Sequence, residues 1–236
     1  MEAHLRDPEI PAGERIVYRG AIGGEPVGSG EQVIERLERD GRTYYRQQLE
    51  IAIRAQAHYR VETMFRRRAG AIVCDSYRAE TRDGDQLVAI EEGHFRGVRG
   101  LAWGGELEHF PDDLTPLLGC AVALRGLDLE RGARRSLSLW IANTVQWEID
   151  VRVEAIEGLE VPAGHFDAAR LLIRPSFERV AGPLHRLVEL LLPPFHVHLA
   201  VEPPRPLLRF SFPTGPFRWN PRGVIEAVEL SSGEPS

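Results

Sequence analysis

Hydrophobic and polar positions alternate most regularly over residues 145–155. Val145, Trp147, Ile149, Val151, Val153 and Ala155 are apolar, and Gln146, Glu148, Asp150, Arg152 and Glu154 separate them. A period of two with one apolar face is that of an antiparallel strand lying on a core. Trp147, Ile149, Val151 and Val153 are therefore expected on one buried face. Pro162-Ala163-Gly164 follows. Pro162 presets φ for the second position of a turn and Gly164 accepts positive φ, so residues 166–174 run back as the partner strand.

The same period recurs upstream. Residues 14–22 read as a first strand, with Gly23-Gly24 as its turn. In 25–39, Val33, Glu35 and Leu37 share a face, while Gly28 and Gly30 predict a bulge or sharp curvature. Asp40-Gly41 is a hairpin signal. Tyr45, Leu49, Ile51 and Ile53 alternate in the next strand, then Ala57, Tyr59, Val61, Thr63 and Phe65. Residues 71–81, the Asp83-Gly84 turn and residues 86–92 complete a meander of about six strands.

Twice the period becomes helical. Leu117, Leu118, Ala121, Val122 and Leu124 predict a helix over 114–124, capped by Asp112-Asp113. Residues 182–194 place Leu184, Leu187, Val188, Leu190, Leu191 and Leu192 around most of a short helix. Pro183 suits its first turn and Pro193-Pro194 ends it. A helix this apolar either plugs the open side of a sheet or meets a second copy in a homodimer. Residues 134–141, 195–201, 207–212 and 223–230 are further strands. The expectation is a mainly β protein: a strongly curved antiparallel sheet or open β-barrel of about ten strands, with two short helices on the concave side. Residues 1–13 read as a loose arm, 14–230 as a single β domain and 231–236 as a tail.

The segment Val153-Glu-Ala-Ile-Glu-Gly-Leu-Glu-Val-Pro-Ala-Gly-His-Phe-Asp167 resembles the signature of the domain-of-unknown-function family 3108, a strand, a Val-Pro-Ala-Gly-x-Phe turn and a return strand. The early Glu14-Arg-Ile-Val-Tyr18 strand and the closing strand ending Val228-Glu-Leu230 fit the same pattern, which spans roughly 14–175 plus the last strand. The resemblance implies an exported bacterial β protein, similar in plan to the open barrel of LolA-like lipoprotein carriers, in which a helix plugs an apolar concavity. It brings no catalytic residues. Residues 176–215 are longer and richer in proline than that pattern, which suggests a lid or an interface.

Composition narrows the chemistry. All 29 basic residues are Arg, so a Schiff-base lysine, a P-loop lysine and a lysine general base are excluded. A net charge of −6 speaks against a nucleic-acid partner. No apolar run is long enough to span a membrane as a helix. The N-terminal residues show no basic region followed by an apolar one, so a cytoplasmic location is expected, with periplasmic as the alternative if a leader has been removed. Cys74 and Cys120 form no CxxC motif and read as buried free thiols.

Two functions fit this plan. The first is a non-enzymatic binding or carrier protein for an apolar ligand, a lipid or acyl chain, held in the concavity. The second is a cofactor-independent enzyme acting on an aromatic or polyketide-like molecule in the same place. Tyr45, Tyr59, Trp140, Trp147, Leu187 and Leu191 are the candidate ligand-binding residues, and Phe65, Trp103 and Trp219 can join such a lining. His196-Val197-His198 sets two imidazoles on one face of a strand, but no third ligand is near in sequence, so no metal and no cofactor is expected.

Overall fold

The computed structural model describes residues 5–54, 57–95, 98–99, 108–109, 111, 113–142, 145–176, 193–215, 217 and 219–232. Its strands in chain order are β1 (Leu5–Arg6), β2 (Glu14–Ile22), β3 (Glu25–Arg39), β4 (Arg42–Ile53), β5 (Ala57–Arg68), β6 (Ala71–Asp83), β7 (Gln86–His94), β8 (Val98–Arg99) and β9 (Glu108–His109). There follow β10 (Thr115–Pro116), β11 (Arg134–Ala142), β12 (Val145–Val161), β13 (Gly164–Pro175), β14 (Phe195–Ala200), β15 (Leu207–Pro213) and β16 (Arg222–Ser231). Fourteen of them form one sheet in the order β1-β6-β5-β4-β3-β2-β16-β15-β14-β13-β12-β11-β10, and β7 also pairs with β6. The sheet is large and curved and does not close into a barrel. Its pairings are antiparallel except where β10 lies parallel to β11.

The meander forms as its turns require. Asp40 and Gly41 both take positive φ, 52° and 68°, and join β3 to β4 with Arg39 opposite Arg42. That is the two-residue hairpin whose twist matches the strands it connects. The bulge expected near Gly28 lies in the β2–β3 pairing, where the register slips between Gly20 and Ala21.

Two expectations change. The sheet has 14 strands, not about ten, partly because β1 and β10 are two residues each and too short to show a period. The first helix is also shorter than 114–124. It is a 3₁₀ turn at Leu117–Gly119 followed by α1 (Cys120–Leu124), the one α-helix among the described residues. Pro116 holds ψ at 147°, and the residue before a proline avoids the helical region, so Thr115 and Pro116 pair as β10 instead. No side chain caps the helix start. Of the second expected helix, 182–194, residues 182–192 lie outside the described residues, and with them any homodimer contact through it; Pro193 and Pro194 take no regular structure.

One core joins the segment that carries α1 to the sheet. Leu114, Val122, Ala123, Leu124, Leu127 and Leu129 are buried in one core with inward residues of the strands, among them Ile34, Phe65, Ile72, Leu137, Val151 and Leu199. Gln47 Nε2 donates to Leu118 O at 3.4 Å, and Gly119 packs against the side chains of Thr63 and Phe65.

The central hairpin is as expected from Ile149 to Val153, whereas Trp147 is only half-buried, as Gln146 and Glu148 are. Ile149, Val151 and Val153 are buried, and Asp150 and Arg152 are exposed. A bulge between Val153 and Ala155 then changes the register with β13. Beyond it, Leu159 and Val161 join a separate small apolar cluster with Ala168, Ala200 and Leu208. Gly164 closes the turn at φ 136°, and Ala163 N donates to Ala227 O at 3.1 Å, so the hairpin tip folds onto β16.

The N-terminal arm is docked rather than loose. Leu5 and Arg6 pair with Ile72 and Ala71, and Leu5 and Ile10 are buried. Arg6 N donates to Gly126 O at 3.2 Å, which ties the arm to the segment after α1.

Candidate ligand pocket

A pocket of about 860 Å³ opens where the arm crosses one end of the sheet. The arm supplies Glu9, Ile10, Pro11 and Ala12. Strand ends supply Glu14 from β2, Arg36 from β3, Tyr45 from β4, Arg67 from β5 and Leu230 from β16. The β14–β15 loop closes it with Pro204 and Pro206. Register explains the wall: Arg36 stands opposite Tyr45, and Tyr45 opposite Phe65.

Asp7, Glu14, Arg67 and Arg125 are paired. Tyr45 Oη donates to Asp7 Oδ1 at 2.8 Å, and Arg67 forms an ion pair with the same carboxylate through Oδ2. Burial and the Asp7 carboxylate push the Tyr45 phenol well above its usual range. Glu14 is buried and accepts from Arg125 Nη1 at 2.7 and 3.0 Å. Arg125 is 0% exposed, which is rare for arginine and tolerable only with a partner. Its Nε and Nη2 have no hydrogen-bond partner among the described residues. Its carbonyl and that of Leu127 accept from Arg205 Nη1 at 3.3 and 3.0 Å. Tyr18, buried nearby, feels both Glu14 and Arg125, and desolvation raises its phenol.

The four candidate residues that are described, Tyr45, Tyr59, Trp140 and Trp147, are not brought together. Tyr45 lines this pocket. Trp140 is core, edge-on to Tyr77 and Phe95 with ring centroids at 5.1 and 5.4 Å. Trp147 lies half-buried opposite Leu139, and Tyr59 lies half-buried between Ile51 and Thr81. Leu187, Leu191 and Trp103 lie outside the described residues. Trp219 is not a lining residue: it is 78% exposed on the loop before β16, stacked on Phe217 at 4.5 Å. Among the pocket residues that periodicity did not single out, Glu14 had a signal, since it shares a strand face with Ile16 and Tyr18. Arg125, at the end of an apolar run, had none.

His196 and His198 face carboxylates, not a metal cluster. His198 Nε2 lies 3.3 Å from Glu157 Oε1, and His196 Nε2 lies 3.8 Å from Glu154 Oε2. Among the described residues no group of three His, Cys, Asp or Glu can hold a metal ion. Desolvation lowers the pKa of both histidines from 6.5. Above about 6.5 the neutral form is favoured in both folded and unfolded chains; as pH falls, the unfolded chain takes up the proton first, so stability declines. In urea unfolding at a series of pH values from about 7 down to about 5, His198→Gln should lose less stability than wild type. Equal slopes would remove His198 as a contributor.

No family model matches the chain, and no curated protein does either. Among solved structures it is similar to a β-barrel-like protein of domain-of-unknown-function family 1849 from Brucella abortus, with TM-score 0.53 and 10% identity over 95% of this chain and 99% of that one. A candidate exported protein with a YmcC-like fold from Bacteroides fragilis gives TM-score 0.39 at 10% identity, covering 98% and 100%. A candidate lipoprotein from Parabacteroides distasonis gives 0.43 at 8%, covering 98% and 100%. At such identity the Brucella likeness shows the fold alone, an open β-barrel-like sheet. No helix among the described residues is long and apolar enough to cross a membrane.

Proposed function

We propose that the protein is a non-enzymatic binding protein for an apolar small molecule, a lipid or acyl chain, and that the molecule enters the pocket beneath the N-terminal arm. The observation that carries this reading is the pocket itself. Its volume of about 860 Å³ is that of a small-molecule site, and Ile10, Pro11, Pro204, Pro206 and Leu230 give it apolar walls. Apolar residues of 114–129 pack into the core against the sheet, and the pocket lies beneath the arm instead. The sequence resemblance to family 3108, whose curved sheet is similar in plan to lipoprotein carriers, supports the same class of cargo.

The ionisable groups favour binding over catalysis. Burial keeps the Cys74 thiol well above its ordinary value and pushes Cys120 up to about 12, so neither is a thiolate at neutral pH. Tyr45, at the pocket, is held protonated in the same way. Asp7, Glu14 and Arg67 are engaged in ion pairs.

Native mass spectrometry of freshly purified protein should show a co-purified apolar molecule, and a fluorescent acyl probe should bind saturably. Leu230→Asp should weaken the probe by about tenfold or more, since a charge must then be desolvated in the wall, while circular dichroism stays that of the folded sheet. A wild-type chain that carries nothing and binds no probe would end the proposal.

A further inference from the structure

The geometry points to an anionic head group, of the carboxylate class, on the molecule that this pocket takes, with Arg36 as the cation that reads it; this rests on the pocket being a binding site. Among the described residues Arg36 and Arg67 line the pocket, Arg125 stands behind Glu14, and Arg205 is turned to the carbonyls of Arg125 and Leu127. Arg67 is committed to Asp7, whose side chain is 6% exposed. Arg125 is committed to Glu14 through Nη1. Among the described residues Arg36 pairs only with Glu38, at 3.5 Å, the long limit of a hydrogen bond, and the two side chains are 48% and 58% exposed. An exposed pair of that geometry is worth about 0–1 kcal/mol, so a better acceptor displaces it readily.

Arg36 is placed for that exchange. It shares the row of Tyr45 and Phe65 across β3, β4 and β5, and it lines the pocket whose apolar surface Ile10, Pro204, Pro206 and Leu230 provide. A carboxylate seated there can take two parallel N–H bonds from one guanidinium, which the single contact to Glu38 does not supply. The acids offer no equivalent opening to a cationic head. Asp7 and Glu14 are both held by arginines, and Glu9, the remaining one, lies exposed on the arm. The polar capacity left behind the wall is also of donor type: Arg125 Nε and Nη2 are fully buried and unpartnered among the described residues. An alkyl carboxylate therefore matches the pocket, and an alkyl ammonium does not.

The test uses the full chain and three probes of equal chain length, dodecanoate, dodecanol and dodecylammonium, titrated by calorimetry at pH 8 below their micellar concentrations. Dodecanoate should bind tightest. Arg36→Gln should weaken dodecanoate by about tenfold or more, because a charge-assisted bond is lost, and should leave dodecanol unchanged. Arg60→Gln, on β5 outside the pocket and paired with Glu50, should leave the preference for dodecanoate in place. A dodecanoate-to-dodecanol ratio that Arg36→Gln does not alter, or a preference for dodecylammonium, overturns the head-group assignment while leaving the pocket intact. Failure of all three probes to bind the wild-type protein overturns the pocket as a site, and the assignment with it.

Discussion

Arg125→Met should destabilise the protein by about 3–5 kcal/mol, read as a lower urea midpoint at pH 7. The loss comes less from the missing guanidinium than from what it leaves behind. Glu14 is 4% exposed, and both its oxygens accept from Arg125 Nη1. Without that partner a carboxylate stays in the core with neither water nor a counter-charge, and such a group costs far more than the intact pair contributed. The double variant Glu14→Gln/Arg125→Met should recover most of the loss, since no charge then remains to be compensated. A single variant that costs less than about 1 kcal/mol would mean that Glu14 finds another partner, or that the pair is open to solvent. A double variant no more stable than the single one would place the loss in packing around the arginine stem instead.

The second large effect is expected at Gly126. Residue 126 follows directly on Arg125, and the N-terminal arm crosses it closely: a Cβ there would overlap the Arg6 carbonyl oxygen and lie 3.1 Å from Arg6 N. Both contacts are to backbone, so no side chain can rotate away. Gly126→Ala must displace β1 or the segment after α1, and should cost about 1–3 kcal/mol, as overpacking does. The arm should bear most of it. Hydrogen exchange at Arg6, whose amide donates to Gly126 O, should accelerate more than exchange at core positions such as Ile34. The pocket wall formed by Ile10 and Pro11 should loosen with it, lowering acyl-probe affinity. An unchanged midpoint together with slow exchange at Arg6 would show that the arm tolerates the displacement.

Much of the sheet is legible in the chain because it is built from local signals. Alternation from Ile149 to Val153 specifies a buried face, and Asp40-Gly41 and Pro162-Ala163-Gly164 specify hairpins, since each rests on residues close in sequence. The limits of such reading are equally physical. A bulge leaves the alternation of residues intact but moves the partner strand, so the change of register after Val153 has no mark in the sequence of β12 itself. The arm reads as polar and loose because Leu5 and Ile10 stand alone among polar neighbours and prolines, yet each finds a place in a core built by residues far along the chain.

The pocket is a matter of tertiary structure almost entirely. An aromatic census picks out Tyr45 correctly but groups it with Trp140 and Trp147, which share its chemistry and not its location. What assembles the site is the crossing of the arm over the ends of β3, β4, β5 and β16, with the β14–β15 loop closing it. Those contacts join residues such as Ile10 and Leu230, which no period or spacing relates. Glu14 and Arg125 are separated by 111 positions. By itself the sequence determined the strands, the turns and the presence of one large curved sheet, because those follow from side-chain alternation and backbone conformational preference. Only the tertiary structure decided that residues 114–129 pack into the core against the sheet and that the open space lies beneath the arm, because what packs against a sheet depends on the volumes of side chains brought together from its whole width.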